Sequence, residues 1–233
     1  MRDLLFDFDK MKSRNNLTKS RIIAAKLDSV IGLQTIDKFI SDIMSGKLDV
    51  ALLYRISVEY DDKIGFHAAW ILEKLCEKTP EYAVIFVEEL MISFNRFTNK
   101  STIRQYAKLI SRLLKYDTKN RLNEELSDKL RNLCPDSLIE GCFNQLIDKT
   151  SPISVKQMCC EVLLQYKDKE VWIKEELQAF CEQLSIQSSA ASRAYRRKLM
   201  YSDASTTGSA GKFARSSSTV CPPFFLKHIF LIK

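Results

Sequence analysis

Three short stretches of the chain repeat one layout: Phe86-Val-Glu-Glu-Leu90, Leu122-Asn-Glu-Glu-Leu126 and Ile173-Lys-Glu-Glu-Leu177. Each opens or lies within a helical pattern. Each also follows another helical segment of shared design, beginning at Ile64, Ile103 and Val155. Self-similarity over tens of residues marks stacked helical units, none of which can cover its apolar stripe without a neighbour. That constraint outweighs any single residue. An array of this kind presents a surface, and surfaces bind.

The leading segments of the three units superpose. A branched apolar residue opens each, a small residue follows four positions later (Ala68, Ala107, Cys159), and larger apolar residues come at seven and eleven. The last are Ile71 and Leu75, Ile110 and Leu114, Val162 and Tyr166. Steps of four and seven keep these on one helix face, and the small residue lets a second helix approach. The openings are 39 and then 52 residues apart, and a helix from Pro135 to Ile147 reads as an insertion into an irregular array.

Punctuation supports the same reading. Apolar spacing predicts helices over Leu17–Ser45 with a break at Gly32, a stop at Gly46, and a further helix over Lys47–Val58. Asp61-Asp62 and either Asn99 or Ser101 can cap the helices that follow them. Thr79-Pro80 predicts an N-cap and first turn for one helix carrying Val84 to Phe94. With only six Gly and five Pro, tight β-turns are too few for an all-β protein. The expected class is all-α: an α-α superhelix of stacked antiparallel helix pairs over 17–200. Residues 1–16 form a polar lead, and 201–233 a basic, Ser-rich tail, read as disordered, with a short apolar end.

Charge narrows the class of partner. The chain holds 36 basic and 29 acidic residues; eight and one of these fall in 187–233, leaving 28 of each before it. The array is therefore neutral, whereas a nucleic-acid binder is expected to carry its positive stripe along the fold. Seven cysteines in no framework spacing, mostly at apolar helical positions, read as buried reduced thiols of a cytoplasmic protein. Acids interrupt the first nine residues too often for a secretory leader, and no stretch reaches the roughly 18 apolar residues of a membrane span.

The segment Asp62-Lys-Ile-Gly-Phe-His-Ala-Ala-Trp-Ile-Leu-Glu-Lys-Leu75 resembles the second helix of a HEAT repeat, with an acidic cap, a branched residue, small residues and a closing leucine. Ile103-Arg104 and Val155-Lys156 look like that family's branched-then-basic pair, from which Ile64-Gly65 departs by lacking the base. The likeness runs over roughly 33–200. It implies a superhelix whose second helices line a concave, partner-binding face.

On those helices the non-core positions are the candidate contacts: His67, Trp70 and Lys74; Arg104, Lys108 and Arg112; Lys156 and Gln157. One aromatic among several bases suits an acidic peptide or a phosphate-bearing ligand. The plainer expectation is that Trp70 packs on Phe66 while the bases stay in solvent. No Cys-x-x-Cys or His-Glu-x-x-His spacing marks a metal site, and no glycine-rich phosphate loop or Gly-x-Ser-x-Gly elbow marks an active site. No cofactor and no catalysis are expected. The reading is a non-catalytic scaffold or adaptor for a protein partner. The alternative is a DNA-binding solenoid similar to the bacterial alkylpurine DNA glycosylases, whose paired tryptophans and nearby Asp are missing here, Trp70 and Trp172 being isolated. Helical lyases of the fumarase superfamily are longer and carry a Ser-rich loop that this chain lacks.

Overall fold

The helix pattern in the sequence becomes ten α-helices and no strand among the described residues. The computed structural model describes residues 14–29, 31–60, 62–167 and 171–186. The expectations for 1–13 and for the tail beyond 186 fall outside them.

Helix α1 (Arg14–Asp28) and α2 (Leu33–Met44) are parted at Gly32, which takes the N-cap position of α2 in extended backbone. α2 ends where Gly46 turns into the left-handed region (φ 74°). Its N–H bonds the Ile43 carbonyl (2.9 Å) and that of Lys47 bonds Asp42 (2.9 Å), the paired closure of a Schellman motif. α3 (Val50–Glu59) starts three residues later than its apolar spacing suggests, because Asp49 caps it through the Ala51 N–H. Asp62 caps α4 (Lys63–Lys78) and Asn99 caps α6 (Lys100–Asp117), each accepting two backbone N–H bonds.

The stretch between α4 and α6 departs from the expected single helix. Pro80–Ile85 is a 3-10 turn, α5 covers only Val87–Ser93, and Phe94–Arg96 is again 3-10. Thr79 makes no side-chain cap bond. The break falls at Phe86, whose ring is buried and stacks on Tyr54 with centroids 5.1 Å apart. Seating that ring in the core takes precedence over a continuous ladder of backbone bonds.

Beyond α6 come α7 (Glu124–Asn132), α8 (Asp136–Ile147), α9 (Ile153–Leu163) and α10 (Val171–Ile186). Here the sequence reading needs correction, since α8 is no insertion. α7 packs on the 80–85 turn and on α5, while α8 packs on α5, on 94–96 and on α9. Lys129 Nζ reaches the Val84 carbonyl (3.0 Å), Ser137 Oγ the Ile92 carbonyl (2.6 Å), and Asn95 Nδ2 Glu140 (3.2 Å). Each bond joins residues 45 apart. Segments 80–96 and 124–147 are therefore neighbouring outer elements, each broken once or more. Pro135 breaks the second, having no N–H to donate and restricting Cys134 before it.

Two rows result. α6 lies between α4 and α9 in one row; α3, the 80–96 segment and the α7–α8 segment make the other. Ala68, Ala107 and Cys159 are all fully buried where the rows meet, as are Ile71, Leu75, Ile110 and Val162. Leu90, Leu126 and Leu177 of the three Glu-Glu-Leu stretches are buried as well. Tyr106 of α6 crosses between the rows. Its hydroxyl donates to Ser57 Oγ of α3, which itself donates to the Tyr54 carbonyl (2.6 Å).

The thiols of Cys76, Cys142, Cys159 and Cys160 are buried and in no disulfide, and Cys134 is exposed. Burial pushes the Cys76 and Cys142 thiols well above the usual range, so the nucleophilic thiolate is scarce there. A brief iodoacetamide pulse on the folded protein, mapped by peptide mass spectrometry, labels Cys134 at least ~100-fold faster than those four, which react only through local opening. Fast labelling at Cys159 or Cys160 would contradict the packing of α8 on α9.

Candidate functional site

The α4–α6–α9 row turns one stripe of each helix away from the other row. On α6 the stripe is basic at every fourth residue, Lys100, Arg104, Lys108 and Arg112, with Lys115 beyond. Like charges at that spacing weaken an isolated helix by a few tenths of a kcal/mol per pair. Neighbouring helices relieve most of the repulsion. Lys100 bonds Asp148 (2.6 Å), Lys108 bonds Glu73 (3.0 Å), Arg112 bonds Glu73 (2.8 Å) and Glu77 (2.9 Å), and Lys115 bonds Glu161.

Glu73 is the centre of this lattice. Its side chain is 0% exposed, and Lys108 and Arg112 both close on Oε1, while Oε2 is left with no hydrogen bond. Lys74 stands 3.9 Å from Oε2 but bonds Glu77 instead. That bond, with Arg112 and Lys108 behind it, holds the Glu77 carboxyl below the usual carboxylate range. No sequence argument singled out Glu73. The available signal was its position: it lies on the Ala69–Glu73–Cys76 stripe, an acid on an otherwise apolar, buried helix face.

The eight sequence candidates thus part company. Lys74, Lys108 and Arg112 come together around Glu73 and Glu77. Trp70 is half-buried and stacks on Phe66 (5.9 Å, rings 10° from parallel), as the plainer expectation held. The bases do not simply stay in solvent, however; most tie one helix to the next. His67 leaves the surface altogether. It is 7% exposed, and its Nδ1 donates to the Leu27 carbonyl at the end of α1 (2.6 Å), a structural tie rather than a contact residue. Lys156 turns toward the other row, its Nζ on the Leu146 carbonyl in the last turn of α8 (2.9 Å), and burial lowers its ammonium below the usual lysine range. Gln157 is half-buried on α9. Arg104 is exposed, and it is the one cation of α6 with no ion pair among the described residues.

Two further observations bear on what this face can do. Among the described residues no group of three or more His, Cys, Asp or Glu side chains could hold a metal ion. No helix among them is long and apolar enough to cross a membrane.

A row of helices stacked side by side with a second, broken row behind it defines a helical-repeat protein. A sequence model of the HEAT repeat domain matches residues 23–202, and the chain belongs to the HEAT-repeat family. No curated protein and no solved structure matches it significantly.

Proposed function

We propose that the chain is a non-catalytic scaffold that binds a protein partner on the outward face of the α4–α6–α9 row. Membership of a repeat family supports this, because such arrays offer long surfaces built from equivalent positions. The observation that carries it is the division of labour on that face. Most of its charges are spent joining α4, α6 and α9, which makes a rigid platform, while the Phe66–Trp70 stack and Arg104 remain on its outer side. An aromatic and an arginine on a rigid support are the residue types that dominate interface energies. Buried free thiols suit a reducing compartment, the cytoplasm in the simplest case.

The test is affinity capture on the immobilised full chain with quantitative mass spectrometry. A specific protein is expected on the native chain, and at least about tenfold less of it on a Trp70→Ala/Arg104→Ala double variant, two anchor losses being worth that much or more. Recovery of chaperones alone, or equal recovery on both chains, would refute the assignment of the face. A duplex DNA arm at low and high salt serves as control: retention at low salt that collapses steeply with added salt would point to nucleic acid instead.

A further inference from the structure

We infer that the α4–α6 face is a docking site for a short acidic peptide segment whose carboxylate pairs with Arg104 and whose neighbouring apolar side chain lies against the Phe66–Trp70 stack. This rests on the scaffold reading above and names the chemistry of the partner.

The fold leaves one charge of α6 over. On α6, Lys100, Lys108, Arg112 and Lys115 each end on a carboxylate of an adjoining segment, and Arg104, in the middle of the same helix, does not. An exposed guanidinium with its neighbours' demands already met is a fork of donors matched to a carboxylate.

Register supplies the second half. Lys108 meets Glu73 and Arg112 meets Glu77, both 35 residues back, and Arg112 also meets Glu73, 39 back. The same offsets set Arg104 level with residues 65–69 of α4, the turns between Phe66 and Trp70. Those two rings lie nearly parallel and only partly covered, giving an apolar shelf beside the unmatched cation.

Charge also decides between classes of partner. A nucleic-acid strand carries a phosphate at every step and needs a continuous basic track. Here Glu73, Glu77, Asp148 and Glu161 interrupt the track at almost every cation, leaving one local centre of positive charge. A peptide with one or two acids beside an apolar side chain fits that pattern, and a polyanion does not.

The experiment is a selection from a random peptide library displayed on phage against the immobilised full chain, with Arg104→Glu, Arg104→Lys and Trp70→Ala variants as comparators. Arg104 has no ion pair to lose, so the reversed charge should leave the helical circular dichroism unchanged, which is checked first. The expected outcome is enrichment of Asp or Glu next to an aromatic or large aliphatic residue. Affinity for the selected peptides then falls at least about tenfold in Arg104→Glu and by several-fold in Trp70→Ala, with Arg104→Lys intermediate. Selected peptides without acidic enrichment, or acidic peptides indifferent to Arg104→Glu, overturn this inference while leaving the scaffold reading intact. Recovery of no peptide overturns this inference as well, and the scaffold reading is then decided by the affinity capture above.

Discussion

Replacing Gly65 by alanine lowers the melting temperature by roughly 5–10 °C, a loss of about 2–3 kcal/mol for a domain of this size. The expected sign is opposite to that of helix propensity, which favours Ala over Gly by about 1 kcal/mol inside a helix. Sterics decides it. A β-carbon on Gly65 would stand 1.8 Å from the Tyr60 carbonyl oxygen and 3.1 Å from that of Ser57. Both are backbone atoms at the end of α3, so no side chain can swing aside to make room. Relief requires the 57–62 connection to move, and with it the Asp62 cap and the packing of α3 on α4. The same contact explains why the branched-then-basic pair is absent at Ile64-Gly65. At the matching place Lys156 reaches a carbonyl at the end of α8, whereas here a carbonyl already occupies the space. Thermal melts followed by circular dichroism read the effect, and an unchanged or raised midpoint for Gly65→Ala would show that the α3–α4 junction is looser than described.

The second large effect concerns Glu73. Arg112→Met leaves a fully buried carboxylate with Lys108 alone on Oε1, and should cost about 3 kcal/mol, in the range for breaking a buried pair by removing one partner. Glu73→Leu combined with Arg112→Met should return to within about 1 kcal/mol of the native chain, because apolar packing replaces desolvated charge at similar volume. Urea denaturation of the two single variants and the double variant gives the coupling directly. With Glu73 at 0% and Arg112 at 17% side-chain exposure, the coupling should change little between low and moderate salt, unlike a solvated pair. Additive single losses would mean that the two side chains do not share one buried interaction.

Much of the fold was legible residue by residue. Ala68, Ala107 and Cys159 could be placed at helix crossings because a small residue on a four-seven stripe serves no other purpose there. Gly46, Asp62 and Asn99 announced helix ends because the groups they satisfy are within a turn of them in the chain. The Pro135 helix was misread for the same local reason: a proline ends a helix, and nothing nearby says that the next helix continues the same structural element. Only the contacts with 80–96, some 45 residues away, do.

The face divided along the same line. Its four-residue basic spacing on α6 was visible, and so was the pairing of Trp70 with Phe66 one turn away. Which bases would be consumed could not be seen. Glu73 sits four and three residues from Ala69 and Cys76, and its partners stand 35 and 39 residues further on. His67 looked like a surface group, yet its ring meets the carbonyl of Leu27, 40 residues earlier.

What the chain alone determined was helical: which segments coil, where they stop, and which stripe of each avoids water. These follow from periodicity and capping, whose range is a turn or two of backbone. Tertiary structure decided which broken segments act as one element, and which cation on α6 is left unmatched. Both depend on the lateral register between helices, set by how side-chain volumes interlock across tens of intervening residues, and no local pattern encodes that.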